Sequence, residues 1–503
     1  MKNIDRLLDK IERTGNKLPN PSYLFVLMCG LVLLASLISS LLGVSASHPL
    51  NSNLIEARNL ISRDGLHFIL TRTVANFVNF APVGTVLVAV MGLGIAEHSG
   101  LLSELLKGVL KAPKSLLSII VVGAGVLSSL AADSGYVVLI PLAAAAFHMA
   151  GRHPLLGIAA AFAGVSGGYS ANLLIGPLEP VLAGISTEAA HLVDPNYEVS
   201  AAGNYYFIVV STFLITLVGA WVTERILAPR LPKYRVEYQA TDEPLDTAQG
   251  AARSRALRAV GVFTLVTVLI LLAGLVPNNG LLRDAETASV LNSPFIKGIV
   301  TIIAVYAGVC GIIYGRVSGR YKKSSDFIEG MEQHLATMAG YLVLMFFAAQ
   351  FVNYFAWSNL GSILAINGAS LLQGAQLPPV LLLVCFVFLA GFLNLFIGSA
   401  SAKWALIAPV FVPMLLLMGI TPEATQIAYR IGDSSTNIIT PLMPYFGVVV
   451  AFAQRYQKDI GIGSLISLML PYSFAFLIAW SIMMAGWVLT GLPFGPGAGA
   501  TLL

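Results

Sequence analysis

Apolar runs of about 18 or more residues recur along the whole chain, separated by shorter polar stretches. Strict alternation of apolar and polar positions is absent, so the runs predict membrane-spanning helices rather than barrel strands. Candidate full spans fall at 22–44, 80–97, 154–176, 204–224, 257–276, 297–315, 335–353, 424–447 and 467–490. Two more apolar regions, 115–150 and 378–418, are broken near their centres by small and polar residues, "SSLAADSG" at 128–135 and "GSASAK" at 398–403. A segment broken in this way can enter and leave the bilayer on one side, provided that its open backbone is buried in protein. The predicted fold is an all-α integral membrane protein of about nine transmembrane helices plus two re-entrant helical hairpins.

Composition agrees: 56% of the residues are hydrophobic, 11% are charged, and the mean hydropathy is +0.80. The net charge of +4 is spread over loops and makes no nucleic-acid surface. Cys29, Cys310 and Cys385 lie far apart in apolar runs and read as packing residues, not as a disulfide framework or a metal knuckle. The N-terminal stretch, 1–21, places Ile4, Leu7, Leu8 and Ile11 opposite Lys and Arg, as in a helix lying on an anionic membrane surface. It lacks the short charged start and apolar core of a cleavable signal.

Lys and Arg gather at the N-terminus, at Lys107, Lys111 and Lys114, between Arg225 and Arg258, at Arg316, Arg320, Lys322 and Lys323, and at Arg455 and Lys458. These loops should be cytoplasmic. Residues 186–203 and the tail after Trp487 carry no Lys or Arg and should face outside. The loop at 45–79 is placed with them, although Arg58, Arg63 and Arg72 weigh against it. With these sides, the first hairpin enters from the cytoplasm and the second from outside. The predicted organisation is a first repeat at 22–226, a linking region at 227–296, a second, inverted repeat at 297–490, and a tail at 491–503. An offset of 268 residues supports duplication: it puts Tyr136 on Trp404, Pro141 on Pro409, Gly151 on Gly419, Pro154 on Pro422 and Gly164 on Gly432. After a three-residue deletion, "ANLLIGPLEP" (171–180) matches "TNIITPLMP" (436–444), with Asn172 on Asn437. Such repeats with discontinuous helices mark a secondary transporter whose site lies between the repeats.

"GVSGGYSAN" (164–172) and "GDSSTN" (432–437) are poor helix formers, so the backbone is expected to unwind there and free carbonyls and amides at membrane depth. Freed carbonyls with Asn and Ser oxygens suit sodium or a proton as coupling ion, and half-helix amide ends suit an anionic group. Asp133, Asn172, Ser399, Ser401, Asp433 and Asn437 are the candidate ion ligands, with a bound sodium ion at those oxygens and no other cofactor. Asp133 and Ser401 coincide under the 268 offset and read equally as hairpin caps. Arg430 and Asp433, three apart, share a helical face and are expected to pair, either as part of the site or as a structural lock. Trp404 is placed to stack on an aromatic substrate, with core packing as the alternative. Glu179 lies between two prolines where the second half has Met443; it reads as a protonatable coupling or gating residue, or else as a loop acid at the outer surface.

Other classes fit less well. There is no P-loop, since the Gly-rich "GPGAGATLL" lacks its Lys. An intramembrane aspartyl protease would need Asp133 and Asp433 to share a proton, and Arg430 beside Asp433 opposes that. A channel would show a continuous polar stripe, whereas polarity here gathers at two breaks.

"GRHPLLGIAAAFAGVSGGYSANLL", "AAQFVNYFAWSNLG", "GSASAKWALIAPVFVPML" and "YRIGDSSTNIITPLMPYFG" resemble the p-aminobenzoyl-glutamate transporter (AbgT) family, in its YdaH- and MtrF-like branch, nearly end to end. The resemblance implies a homodimer with nine spans and two hairpins per subunit, and transport of p-aminobenzoyl-glutamate or export of sulfonamide antimetabolites; with the ion coupling and the cytoplasmic N-terminus read from the residues above, the expected protein is an ion-coupled transporter of the inner membrane. It also implies that Ser401, Trp404, Pro422, Arg430, Asp433 and Pro441 matter. Glu179 in "GPLEP" departs from the Asp usual in that branch.

Overall fold

The computed structural model describes residues 21–47, 54–107, 113–131, 135–231, 247–285, 287–290, 293–374, 376–443 and 445–502. The N-terminal amphipathic segment and Asp133 therefore lie outside the described residues. Helix α1 (Pro21–Leu41) shows how the apolar runs are used: Phe25 and Val32 pack inward while Leu27, Leu31, Leu34 and Ile38 face out, toward lipid. A short antiparallel pair, β1 (Ser45–Ser47) and β2 (Leu54–Glu56), follows in register Ser45↔Glu56. Helix α2 (Arg63–Val78) comes next, so the stretch expected as a loop at 45–79 contains a 16-residue helix. Its mean apolarity is low, but Asn76 bonds Gln350 and Phe68 stacks on Trp357, which tertiary contact alone supplies.

The rest of the first half comprises α3 (Ala81–His98), α4 (Leu101–Leu106), the hairpin α5 (Leu117–Leu127) and α6 (Ile140–Met149), then α7 (Pro154–Phe162), α8 (Leu178–Ala190) and α9 (Tyr205–Trp221). The linking region holds α10 (Thr247–Leu275), and α11 (Pro294–Lys297) and α12 (Ile299–Val317) lead into the second half. That half continues with α13 (Ser325–Thr337), α14 (Ala339–Trp357), α15 (Leu360–Gly374), the hairpin α16 (Pro379–Asn394) and α17 (Ala400–Leu416), α18 (Pro422–Asn437), α19 (Phe446–Gln454) and α20 (Ile462–Thr490). Among the described residues, six helices are long and apolar enough to cross a membrane unbroken: α1, α9, α10, α12, α14 and α20. Helix α3 matches a seventh expected segment.

The remaining two, 154–176 and 424–447, are not continuous. The first runs as α7 plus a turn of π-helix to Gly167, opens over 168–177, and resumes as α8. The second runs as α18 to Asn437, opens, and resumes as α19. The break expected inside "GDSSTN" thus lies just after it. Within that helical stretch Thr436 donates to the Gly432 carbonyl (2.8 Å) and Ser434 donates to Ser170 (2.6 Å), while the buried Ser435 hydroxyl has no partner among the described residues.

Both ends of the first hairpin meet the same face, where Arg152 bonds Ser118 (3.4 Å) and Glu224 (2.7 Å). Lys107, Arg253 and Glu104 gather on that basic face too. The second hairpin returns to the opposite face at Gly419, under the C-terminal tail: Leu502 N–H donates to Gly419 O (2.9 Å) and Thr421 N–H to Ala500 O (3.2 Å). Residues 192–204, the β1–β2 pair and residues 358–362 join this face through Ser362 to Leu192 O (2.6 Å) and Arg58 N–H to Ser358 O (3.0 Å). The two hairpins therefore open on opposite faces. Equivalent close approaches repeat within each half: a methyl group on Gly164 would strike the Val122 carbonyl oxygen, and one on Gly432 the Val387 carbonyl oxygen. Only glycine lets each hairpin arm lie this close to its neighbouring helix.

Candidate functional site

Four charged side chains are buried at the centre, and their pairing differs from the local one that the spacing predicts. Arg430 does not bond Asp433. Its Nη2 donates to Glu179 Oε1 (2.7 Å) and to the Ser170 carbonyl (3.2 Å), across to the first half. Glu179 is 5% exposed and is no surface acid; its other oxygen accepts Gly176 N–H (2.6 Å) where α8 begins. It thus ties the start of α8 to α18. Asp433 pairs instead with Lys403 (2.5 Å), which is fully buried. Sequence reasoning passed over Lys403, although a lysine inside an apolar region flanked by small residues is the available signal.

Each half places an Asn beside its broken helix, and each Asn is held by a residue 43 positions earlier, on the descending arm of its own hairpin. Asn172 donates to Ser129 (2.8 Å), and Asn394 donates to Asn437 Oδ1 (2.9 Å). The internal repeat is thus visible as an interaction as well as a residue match.

A cavity of about 730 Å³ lies between the halves. It runs from Glu97 and His334, which are 2.7 Å apart near the basic face, to the two hairpin tips. Ser129 stands at one tip and Gly398, Ser399 and Ser401 at the other. Asn172, Glu179 and Asn437 add polar groups; Tyr136 and Tyr445, stacked with centroids 4.5 Å apart, add an aromatic wall. Two helix starts face this space, α8 beyond Gly176 and Pro177, and α17 at Ala400 behind its N-cap Ser399. Amide ends of this kind favour an anionic group.

Of the residues singled out from the sequence, Asn172, Glu179, Ser399, Ser401 and Asn437 line the cavity, whereas Trp404, Pro422, Arg430, Asp433 and Pro441 do not. Trp404 is fully buried; one ring face stacks on Tyr429 (4.6 Å) and its indole N–H donates to Ser186 (3.0 Å). Ser186 in turn donates to Gln426 (2.8 Å), and nearer the tail face Tyr197 donates to Glu423 (2.8 Å). The Trp404, Ser186 and Gln426 contacts join α17, α8 and α18, and Tyr197 ties the loop after α8 to α18. Burial and the Glu423 carboxylate push the Tyr197 hydroxyl well above its ordinary range, so it remains a donor. Pro422 starts α18 behind the N-cap Thr421, and Pro441 sits in the break beside the cavity residues Leu442 and Met443.

Comparison with known proteins fits this geometry. The model of the AbgT putative transporter family matches residues 6–502. The p-aminobenzoyl-glutamate transport protein of Escherichia coli (strain K12) is 38% identical over 493 residues, covering 98% of this chain and 96% of its own. The crystal structure of the YdaH transporter of Alcanivorax borkumensis superposes with a TM-score of 0.91 at 52% identity, covering 95% of this chain and all of that one. MtrF of Neisseria gonorrhoeae, described as illuminating a class of antimetabolite efflux pumps, superposes with a TM-score of 0.91 at 46% identity over 98% of this chain and all of that one.

Proposed function

The chain belongs to the AbgT putative transporter family, and on that premise we propose that it is an ion-coupled secondary transporter of p-aminobenzoyl-glutamate-like folate catabolites, of sulfonamide antimetabolites, or of both. The observation that carries this reading is the cavity between the halves, which combines a tyrosine wall with two helix N-termini and Asn and Ser side chains. An aminobenzene ring suits the wall, and a carboxylate or sulfonyl oxygen suits the amide ends. The basic face is cytoplasmic by the distribution of Lys and Arg, so the cavity is accessible from inside, in an inner-membrane homodimer with its N-terminus in the cytoplasm. Rocking of the hairpins against the rest, with the Trp404–Ser186–Gln426 contacts opening as the inner mouth closes, would give alternating access.

Proteoliposomes carrying the purified protein test this reading. Labelled p-aminobenzoyl-glutamate and a labelled sulfonamide are each expected to move faster under an imposed proton or sodium gradient than without one. Equal rates with and without both gradients would refute ion coupling, and no protein-dependent flux of either compound would refute the substrate class.

A further inference from the structure

We infer that the ε-ammonium of Lys403 is the tethered cation of the second-half site, and that this site therefore takes no sodium ion. The inference deepens the proposed ion-coupled transport, but it is a statement about binding and can be tested without any flux.

Lys403 Nζ is held by three oxygens: Asp433 Oδ1 (2.5 Å), the Ile397 carbonyl (3.1 Å) and Asn394 Oδ1. A carboxylate, a side-chain amide and a main-chain carbonyl freed where α16 gives way to the hairpin tip are the donor types that a hard cation takes in a broken-helix site. Here an ammonium takes them. The neighbouring oxygens proposed as sodium ligands are engaged as well. Asn437 Oδ1 accepts Asn394 Nδ2 (2.9 Å), Asn437 Nδ2 faces Asp433 Oδ2 (3.5 Å), and Asn394 Nδ2 also reaches the Asp433 carbonyl (2.7 Å) and Thr436 (2.8 Å). The donor set does not fit an added sodium ion. Two unit charges about 4 Å apart in this buried setting repel enough to weaken the second by on the order of a thousandfold.

The first half shows that the fold does not require the pair. Under the 268 offset, Gly135 stands where Lys403 does and Val165 where Asp433 does. Both charges are missing together, and that half secures its Asn172 with neutral groups among the described residues, Ser129 accepting from Nδ2 (2.8 Å) and Leu174 N–H donating to Oδ1 (3.1 Å). The second half therefore carries its own cation, and Ser401, which lines the cavity, is left to contact whatever enters it.

The test is the thermal unfolding midpoint of the purified full-length protein in detergent, in sodium chloride against choline chloride at equal ionic strength. The wild type is expected to show no sodium-dependent rise of its midpoint that Asp433→Asn abolishes, and Lys403→Arg, which keeps a tethered cation, is expected to behave likewise. Lys403→Ala is expected to unfold earlier in choline and to be raised saturably by sodium, and Lys403→Ala/Asp433→Asn to lose that response. A saturable sodium shift in the wild type that vanishes in Asp433→Asn would overturn the inference, because a second cation would then share the site. A folded Lys403→Ala that ignores sodium would overturn it too. Should Lys403→Ala not fold, the wild-type and Lys403→Arg arms still decide when each is compared with Asp433→Asn: a sodium shift that Asp433→Asn abolishes places an extra cation beside the tethered one and overturns the inference, and the lack of any such shift upholds it.

Discussion

Replacing Glu179 by Gln isolates the role of the Arg430 pair. In the structure Arg430 is 2% exposed, and its Nε and Nη1 have no hydrogen-bond partner among the described residues. Among the described residues, Glu179 Oε1 is its one charged partner and the Ser170 carbonyl its other acceptor. Neutralising Glu179 leaves a buried guanidinium with neutral acceptors only, and the single amide oxygen of Gln cannot serve both Arg430 and Gly176 N–H. Breaking a buried pair from one side costs about 3–5 kcal/mol, which is roughly two to nearly four powers of ten in the ratio of folded to unfolded protein. Glu179→Asp keeps the charge and shortens the reach, so it loses either the Arg430 or the Gly176 hydrogen bond, at about 1.5–3 kcal/mol. Replacing both members, Glu179→Gln with Arg430→Met, removes the stranded charge and should recover much of the loss, giving a coupling of about 2 kcal/mol or more. The assay is unfolding of each variant in detergent, followed by tryptophan fluorescence, beside gradient-driven uptake. A Glu179→Gln protein as stable as the wild type, or a double variant whose loss equals the sum of the singles, would refute the structural tie. Wild-type stability combined with lost proton dependence of uptake would instead make Glu179 a coupling residue.

Trp404→Phe keeps a ring to stack on Tyr429 but loses the donor to Ser186, so it should cost about 1 kcal/mol, against about 3–5 kcal/mol for Trp404→Ala, both read by unfolding. Gly432→Ala and Gly164→Ala each drive a methyl group into a backbone carbonyl; each should lower stability by about 1–3 kcal/mol and reduce the yield of folded protein, and a neutral result at either position would contradict the close helix approach. In a background with Cys29, Cys310 and Cys385 replaced, Met149→Cys should react with a membrane-impermeant thiol reagent from the basic face and Leu377→Cys from the opposite face, whereas reaction of both from one face would contradict the inverted hairpins.

The sequence by itself determines that the chain lives in lipid, where its two re-entrant regions lie and that its halves repeat. Each follows from a strong local rule. Backbone in hydrocarbon must be helical, so a run such as 398–403 that cannot hold a lipid-facing helix has to be a protein-buried break. The candidate site was half legible for the same reason: Asn172, Ser399, Ser401 and Asn437 stand at the breaks, and the breaks line the cavity. Tertiary structure alone decided which charge meets which. Spacing of three on one helix made Arg430 and Asp433 plausible partners, yet Arg430 turns to Glu179, 251 residues away, and Asp433 turns to Lys403 on the adjacent hairpin arm. Sequence spacing reports neighbours along one helix. At membrane depth a charge takes the partner that relieves most of its desolvation, and helix packing, invisible along the chain, settles which partner is within reach. Packing likewise helped keep "GDSSTN" helical against its propensity, because Ser170, 264 residues away, takes the Ser434 hydroxyl, while Thr436 turns its hydroxyl back to the Gly432 carbonyl of its own helix.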